Sequence, residues 1–188
     1  RHRRGQAGES VNRVVAPASC RRLVLDDVLN AREARARRQQ AWLCQYGQPV
    51  ISATLVWPGE VKDTPLARQV MAEAKEAINQ RLQQHRWRIA RQEAAFPVTG
   101  PEALWSVSSP AWMIKHVMAD LEDNHPLGRL WDIDVFCPTA GLIKRSAIHQ
   151  PMRRCFLCHE PAHVCSRMRR HAQDELAQRI EEITYDYF

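Results

Sequence analysis

The sequence lacks the features that mark membrane, secreted and repeat proteins. No apolar run approaches the roughly 20 residues that a membrane-spanning helix needs. The amino-terminal segment has no apolar centre of the kind found in secretory signals, and the 188 residues contain no internal repeat or low-complexity linker. We therefore expect a cytoplasmic protein without membrane contacts.

The cysteines do not follow the pattern of an extracellular disulfide framework. Three are scattered singly and three are clustered near the carboxyl end: Cys20, Cys44, Cys137, Cys155, Cys158 and Cys165. This distribution is typical of a protein in a reducing compartment.

The positive charge of the chain is concentrated at its amino terminus. The net charge is +6, and residues 1–38 contain ten arginines against four acidic residues. We predict a flexible basic arm over residues 1–22 and a single domain over residues 23–188, since 45% hydrophobic content suffices for one core. The arm has no interleaved aromatic residues, which favours a solvated segment over one that binds nucleic acid.

Hydrophobic periodicity predicts an alternation of helices and strands. Gly47 and Pro49 end the first helix, and Thr64 caps the second with Pro65 in its first turn. The predicted helices are 24–46, a segment from Pro65 to Leu82, a segment that begins after Pro110, and 172–184. The predicted strands are 49–57, 86–96 and 103–108 as a hairpin, 125–135, and 142–145. This order predicts an α+β fold, a mixed or antiparallel sheet similar to a split βαβ unit with helices packed on it.

Two carboxylates lie two residues apart in the stretch His125–Val135. Side chains alternate across a strand, so Asp132 and Asp134 point to one face while Ile133 and Val135 point to the other. Both carboxylates can then reach one hard cation such as Mg²⁺, which phosphoryl transfer requires. The alternative is a pair of acidic residues on a solvated face.

Several residues around this pair are suited to binding phosphate. Gly128 permits close approach of the backbone, and Arg129 stands at the mouth of the strand as a candidate phosphate clamp. Further positive charge can come from three residues, although taken singly each is better interpreted as an ordinary surface cation: Lys62, Lys144 and Arg145.

A cysteine and histidine cluster follows the carboxylate strand. Cys155 and Cys158 have the spacing of a zinc-binding pair, and Cys165 with either His163 or His171 can complete a tetrahedral site. A reduced cysteine cluster without metal is the alternative, because the gap to Cys165 is shorter than in common zinc motifs.

The first predicted helix carries several cations. They can face phosphates or a partner protein, or form ion pairs within a solvated helix: Arg32, Arg35, Arg37 and Arg38.

Four motifs together resemble one protein family. The motifs are Arg32–Gln39, Pro58–Asp63, His125–Val135, and Arg154–Cys158 followed by Cys165, Arg167 and His171. The chain from about residue 24 to residue 183 resembles the apo-citrate lyase phosphoribosyl-dephospho-CoA transferases, also called holo-citrate lyase synthases.

The resemblance implies a nucleotidyltransferase-type enzyme. It would transfer 2′-(5″-triphosphoribosyl)-3′-dephospho-CoA to a serine of the acyl carrier (gamma) subunit of citrate lyase, with release of pyrophosphate. Asp132 and Asp134 would hold Mg²⁺, Arg129 would neutralise the leaving pyrophosphate, and one aspartate or His125 would act as the base. Two other interpretations are a zinc-stabilised binding module without catalysis and an adaptor that assembles citrate lyase.

Overall fold

The computed structural model describes residues 15–188. The predicted arm lies outside the described residues as far as residue 14. Its remaining part has no regular secondary structure and is attached to the domain. The backbone N–H groups of Ser19 and Cys20 donate to Asp63, and the side chain of Arg68 donates to the carbonyl oxygen of Ala16. No helix within residues 15–188 is long and apolar enough to cross a membrane.

Five α-helices occur in the described part of the chain. Their bounds are α1 Leu25–Tyr46, α2 Pro65–Gln84, α3 Ala111–Asn124, α4 Ala162–Met168 and α5 Gln173–Tyr187. The predicted end of the first helix and the predicted start of the second helix are confirmed. Gly47 ends α1 in the left-handed conformation that glycine adopts without strain, and the Thr64 hydroxyl accepts a hydrogen bond from Ala67 N–H at the start of α2.

Five strands within residues 15–188 form one antiparallel sheet. Their bounds are β1 Val50–Leu55, β2 Arg88–Ala95, β3 Glu102–Ser108, β4 Trp131–Cys137 and β5 Gly141–Leu142. Their order in the sheet is β2-β3-β1-β4-β5. The predicted hairpin is confirmed as β2 and β3. Strand β3 lies between β1 and β2, and β1 lies between β3 and β4, so α2 and α3 each connect two parallel strands with a third inserted between them. The predicted α+β fold with a split βαβ arrangement is therefore confirmed.

Both faces of the sheet are covered by helices. The main core lies on the face towards α2 and α3, and includes Ile51, Trp105, Ile133 and Val135. Helix α1 packs on the other face, where Trp42 contacts residues of β1 and β3 in a smaller cluster. The alternation of side chains along β4 therefore directs Asp132 and Asp134 towards the α1 side.

Three details of the predicted elements are corrected. The strand that carries Asp132 and Asp134, β4, begins only at Trp131, because Gly128–Leu130 forms a 3-10 turn and Leu130 is buried. The strand predicted over 142–145 is only Gly141–Leu142, and Arg145 begins another 3-10 turn. Helix α4 was not predicted, since seven residues are too few to establish a helical period.

Candidate functional site

The candidate site is a polar patch on the α1 side of the sheet. In the register of β1 and β4, Asp132 lies opposite Thr54, and Asp134 lies opposite Ser52. Facing residues of antiparallel strands have Cα atoms about 4.5–5.5 Å apart. The two carboxylates and the two hydroxyls are therefore neighbours on one face.

The two aspartates differ in their environment. Asp132 is exposed, whereas Asp134 is half-buried. Burial raises the pKa of Asp134 to about 6, and the negative charge of Asp132 adds to this effect. A cation between the carboxylates would offset both the burial of the Asp134 charge and its repulsion by Asp132. The donor set therefore fits a hard divalent ion.

A cavity of about 300 Å³ opens beside the patch, between α1, the end of β1, the start of β3 and the loops 57–62 and 99–101. Thr54 lines this cavity and is the strand partner of Asp132. Three cationic side chains also line it, namely Arg32, Arg35 and Lys62. The cavity therefore adjoins the carboxylate pair through Thr54.

Glu102 is the carboxylate that lines this cavity. It is buried, with a relative exposure of 3%. Arg35 donates to its Oε2 at 2.9 Å, and Arg38 forms an ion pair with its Oε1. Both oxygens of Glu102 thus have cationic partners, and the ion pairs fix the middle of α1 over the sheet.

Arg32 and Lys62 have no carboxylate partner among residues 15–188. Arg32 is exposed at the rim, whereas Lys62 is half-buried and its ammonium group donates to the carbonyl oxygen of Trp57. Burial lowers the pKa of Lys62. Thr99 lines the same cavity, and its Oγ1 is buried without a hydrogen-bond partner in the described part of the chain.

His125 and Gly128, both predicted site residues, lie on the side of the main core and not on the α1 side. The ring of His125 packs on Trp131, which faces the core and donates its indole N–H to Val70. Gly128 packs against the end of α3, where a Cβ atom would lie 2.3 Å from the carbonyl oxygen of Leu121.

Arg145 and Arg129 contact the acidic end of α3 and the cysteine-rich segment, respectively. Arg145 forms ion pairs with Glu122 at 2.9 Å and with Asp123 at 3.0 Å. Arg129 donates to the carbonyl oxygen of Arg154 at 2.5 Å, and Lys144 is exposed. Of the eight residues predicted for catalysis and substrate binding, the structure therefore brings Asp132, Asp134 and Lys62 into one region.

Sequence reasoning did not identify the two threonines of the site or Glu122. Threonine is an ordinary residue in strands and turns, so Thr54 and Thr99 carry no local signal. Glu122 is buried, accepts the backbone N–H of Ile133 and forms ion pairs with Arg145 and Arg153. Its acidic character at the end of an ordinary helix gives no indication of these distant partners.

The predicted cysteine and histidine residues converge in space. The ligand atoms of four residues lie within 4.8 Å of one another: Cys155, Cys158, Cys165 and His171. The first two belong to a loop, Cys165 lies on α4, and His171 precedes α5. The Sγ atoms of Cys158 and Cys165 are 3.4 Å apart, and Nε2 of His171 is buried without a hydrogen-bond partner in the described residues. This group can bind a metal ion.

Comparison with known proteins identifies the family. A family model described as apo-citrate lyase phosphoribosyl-dephospho-CoA transferase matches residues 23–187. A protein of that name from Escherichia coli O7:K1 is 37% identical over 169 residues, which are 90% of this chain and 92% of the relative. Its namesake from Shigella flexneri serotype 5b is 36% identical over the same shares. The chain belongs to the apo-citrate lyase phosphoribosyl-dephospho-CoA transferase family.

Proposed function

We propose that this chain attaches the prosthetic group of citrate lyase to the acyl carrier (gamma) subunit. The substrates are 2′-(5″-triphosphoribosyl)-3′-dephospho-CoA and a serine of the carrier, and the products are a phosphodiester and pyrophosphate. The observation that carries this proposal is the match to the family over residues 23–187. The paired carboxylates beside a cationic cavity are the chemistry that such a transfer needs.

The transfer joins the serine oxygen to the phosphorus atom next to the ribose. The bond from that phosphorus to the pyrophosphate breaks, and the serine proton passes to a carboxylate of the aspartate pair. Asp132 and Asp134 would hold Mg²⁺, which when bound neutralises charge that develops on the phosphate oxygens. Lys62 adds a cation on the same side of the sheet.

Reconstitution tests this function directly. Purified chain, precursor, apo carrier and Mg²⁺ should give a carrier of increased mass and one pyrophosphate per carrier. Asp132→Asn and Asp134→Asn should each abolish both products, whereas Asp186→Asn, at an exposed position on α5, should retain them. Full activity in both site variants would contradict the metal assignment, and carrier binding without modification would favour an adaptor.

We also propose that the Cys3His group binds Zn²⁺ as a structural site. Three sulfur donors and one imidazole are a common tetrahedral zinc set, in which Zn–S bonds of roughly 2.3 Å put sulfurs roughly 3.8 Å apart. The buried Nε2 of His171 without a partner supports this assignment. The site needs reduced thiols, in keeping with a cytoplasmic location.

Elemental analysis of the purified protein tests the zinc site. We expect one zinc per chain, and loss of zinc in Cys165→Ser but not in Cys44→Ser, at an exposed cysteine outside the cluster. Protein that contains no zinc when purified from zinc-replete medium would contradict the assignment. Stoichiometric zinc with no transfer activity would favour the non-catalytic binding module.

A further inference from the structure

We infer that the cavity between α1 and the end of β1 binds the polyphosphate end of the precursor, through Lys62, Arg32 and the hydroxyl group of Thr99. This inference rests on the proposed function, and it adds the groups that recognise the part of the substrate that leaves as pyrophosphate. The chemical class of the ligand is an inorganic or ribose-linked polyphosphate.

The charge of the cavity favours an anion. Arg32, Arg35 and Lys62 line it together with one carboxylate, Glu102. Because both oxygens of Glu102 have arginine partners, this carboxylate presents no uncompensated negative charge to a ligand. A polyphosphate entering the cavity therefore meets an excess of positive charge.

The position of Lys62 indicates that the anion reaches the inner part of the cavity. A half-buried ammonium group without a carboxylate partner costs free energy, because the carbonyl oxygen of Trp57 replaces only part of its hydration. A lysine ammonium group has three N–H donors. A phosphate oxygen would accept from the donors that Trp57 does not use and would supply the missing counter-charge.

Thr99 contributes a second unsatisfied group in the same cavity. Buried hydroxyl groups normally have a hydrogen-bond partner, and Oγ1 of Thr99 has none among residues 15–188. The following residue, Gly100, has φ of 107° and packs against Lys62, whose Cβ atom would lie 3.4 Å from a Cβ at that position. The turn thus holds Thr99 and Lys62 next to each other in the wall of the cavity, and rotation of the Thr99 side chain about its Cα–Cβ bond would present the hydroxyl group to a ligand.

The cavity also lies next to the carboxylate pair. Thr54 lines the cavity and lies opposite Asp132 in the sheet. The phosphorus atom that is attacked must lie close both to the metal-binding carboxylates and to the groups that hold the leaving pyrophosphate. A polyphosphate held in the cavity by Lys62 would therefore lie next to the carboxylate pair.

Calorimetric titration of the full chain with inorganic pyrophosphate tests the inference. We expect binding to the unchanged protein, and a dissociation constant at least tenfold higher in Lys62→Gln and in Arg32→Gln. Arg37→Gln is the matched control, since Arg37 lies on the same helix but pairs with exposed Glu33, and it should change the constant less than twofold. Thr99→Val should also weaken binding, and circular dichroism should show that each variant is folded.

The result is independent of the transfer assay. Asp132→Asn should still bind pyrophosphate in the absence of Mg²⁺, even though it should not modify the carrier. Weakened pyrophosphate binding in the Lys62 and Thr99 variants would support the cavity assignment even if the carrier is never modified. No binding by the unchanged protein at millimolar pyrophosphate, or equal binding by all cavity variants, would overturn it.

Discussion

The imidazole ring of His125 packs against the indole ring of Trp131, with 4.4 Å between the ring centroids. Trp131 points into the core, so His125 lies on the side of the sheet away from Asp132. Nδ1 of His125 also accepts the backbone N–H of Leu127. These contacts give the ring a role in stabilising the turn that leads into β4.

We predict that His125→Ala lowers the free energy of unfolding by about 1–3 kcal/mol and leaves the transfer rate within about threefold. Urea titration and the carrier assay measure the two effects, with His116→Ala, at an exposed position, as the control. A rate loss above a hundredfold in a variant of unchanged stability would instead identify His125 as a catalytic residue.

The pH dependence of stability provides a second measurement on His125. Burial lowers the pKa of this imidazole in the folded protein, so the unfolded chain binds its proton more tightly. The contribution of the neutral ring to stability is therefore present at high pH and is lost as the pH falls below the unfolded value of about 6.5. This component should disappear in His125→Ala.

Asp134→Asn should stabilise the metal-free protein at pH 8. The folded pKa of about 6 lies above the ordinary value for aspartate, so the folded state binds the proton more tightly and stability falls as the pH rises from about 4 to about 6. Removal of the charge should add about 2–3 kcal/mol at pH 8 and almost nothing at pH 4. Urea midpoints at the two pH values check this.

Binding of Mg²⁺ should remove the destabilisation that the charged Asp134 causes at pH 8. Addition of Mg²⁺ at pH 8 should raise the melting temperature of the unchanged protein but not that of Asp134→Asn. Equal shifts in both proteins would show that the ion acts elsewhere.

Gly128→Ala should severely destabilise the fold. The new Cβ atom would lie 2.3 Å from the carbonyl oxygen of Leu121 and 2.6 Å from that of Glu122, and neither backbone atom can move without distorting α3. We expect a loss of about 3 kcal/mol or more in chemical denaturation. Pro126→Ala, at a nearby exposed position, should cost much less, and a similar loss in both variants would contradict the steric explanation.

Glu122→Gln should lower stability because Glu122 is the buried centre of an ion-pair network. It interacts with Arg145 and Arg153, and its Oε2 accepts the backbone N–H of Ile133. Replacement leaves two arginines without a buried counter-charge, which should cost about 3 kcal/mol. Thermal denaturation should show the loss, while Glu181→Gln, at an exposed position, should melt within about one degree of the unchanged protein.

Removal of zinc should loosen the segment around the cysteine cluster. The cluster joins a loop, α4 and the residue before α5, so its loss should lower the melting temperature and increase hydrogen exchange over residues 153–171. The proposed assignment is contradicted if a chelator that removes all zinc leaves exchange in this segment unchanged.

Local signals accounted for most secondary-structure elements but for only part of the candidate site. Thr64, Pro65 and Gly47 act through their own backbone neighbours, so the corresponding helix ends were predictable. The stretch before Trp131 was wrongly predicted as strand, because the close approach of Gly128 to α3 is a contact between distant elements. The convergence of Arg32, Lys62 and Thr99 likewise depends on how three segments pack.

The family, the α+β order, the shared face of Asp132 and Asp134, and the three cysteines of the possible metal site were all readable from the linear sequence. These features depend on motifs and on the two-residue period of a strand. Folding added the choice of His171 over His163 as the fourth ligand, the cover of α1 over the carboxylate face, the burial of Glu102 and Glu122 as counter-ions, and the position of Thr99 beside Lys62. The physical reason is that burial and ion pairing arise from contacts between residues far apart in the chain, which no local periodicity specifies.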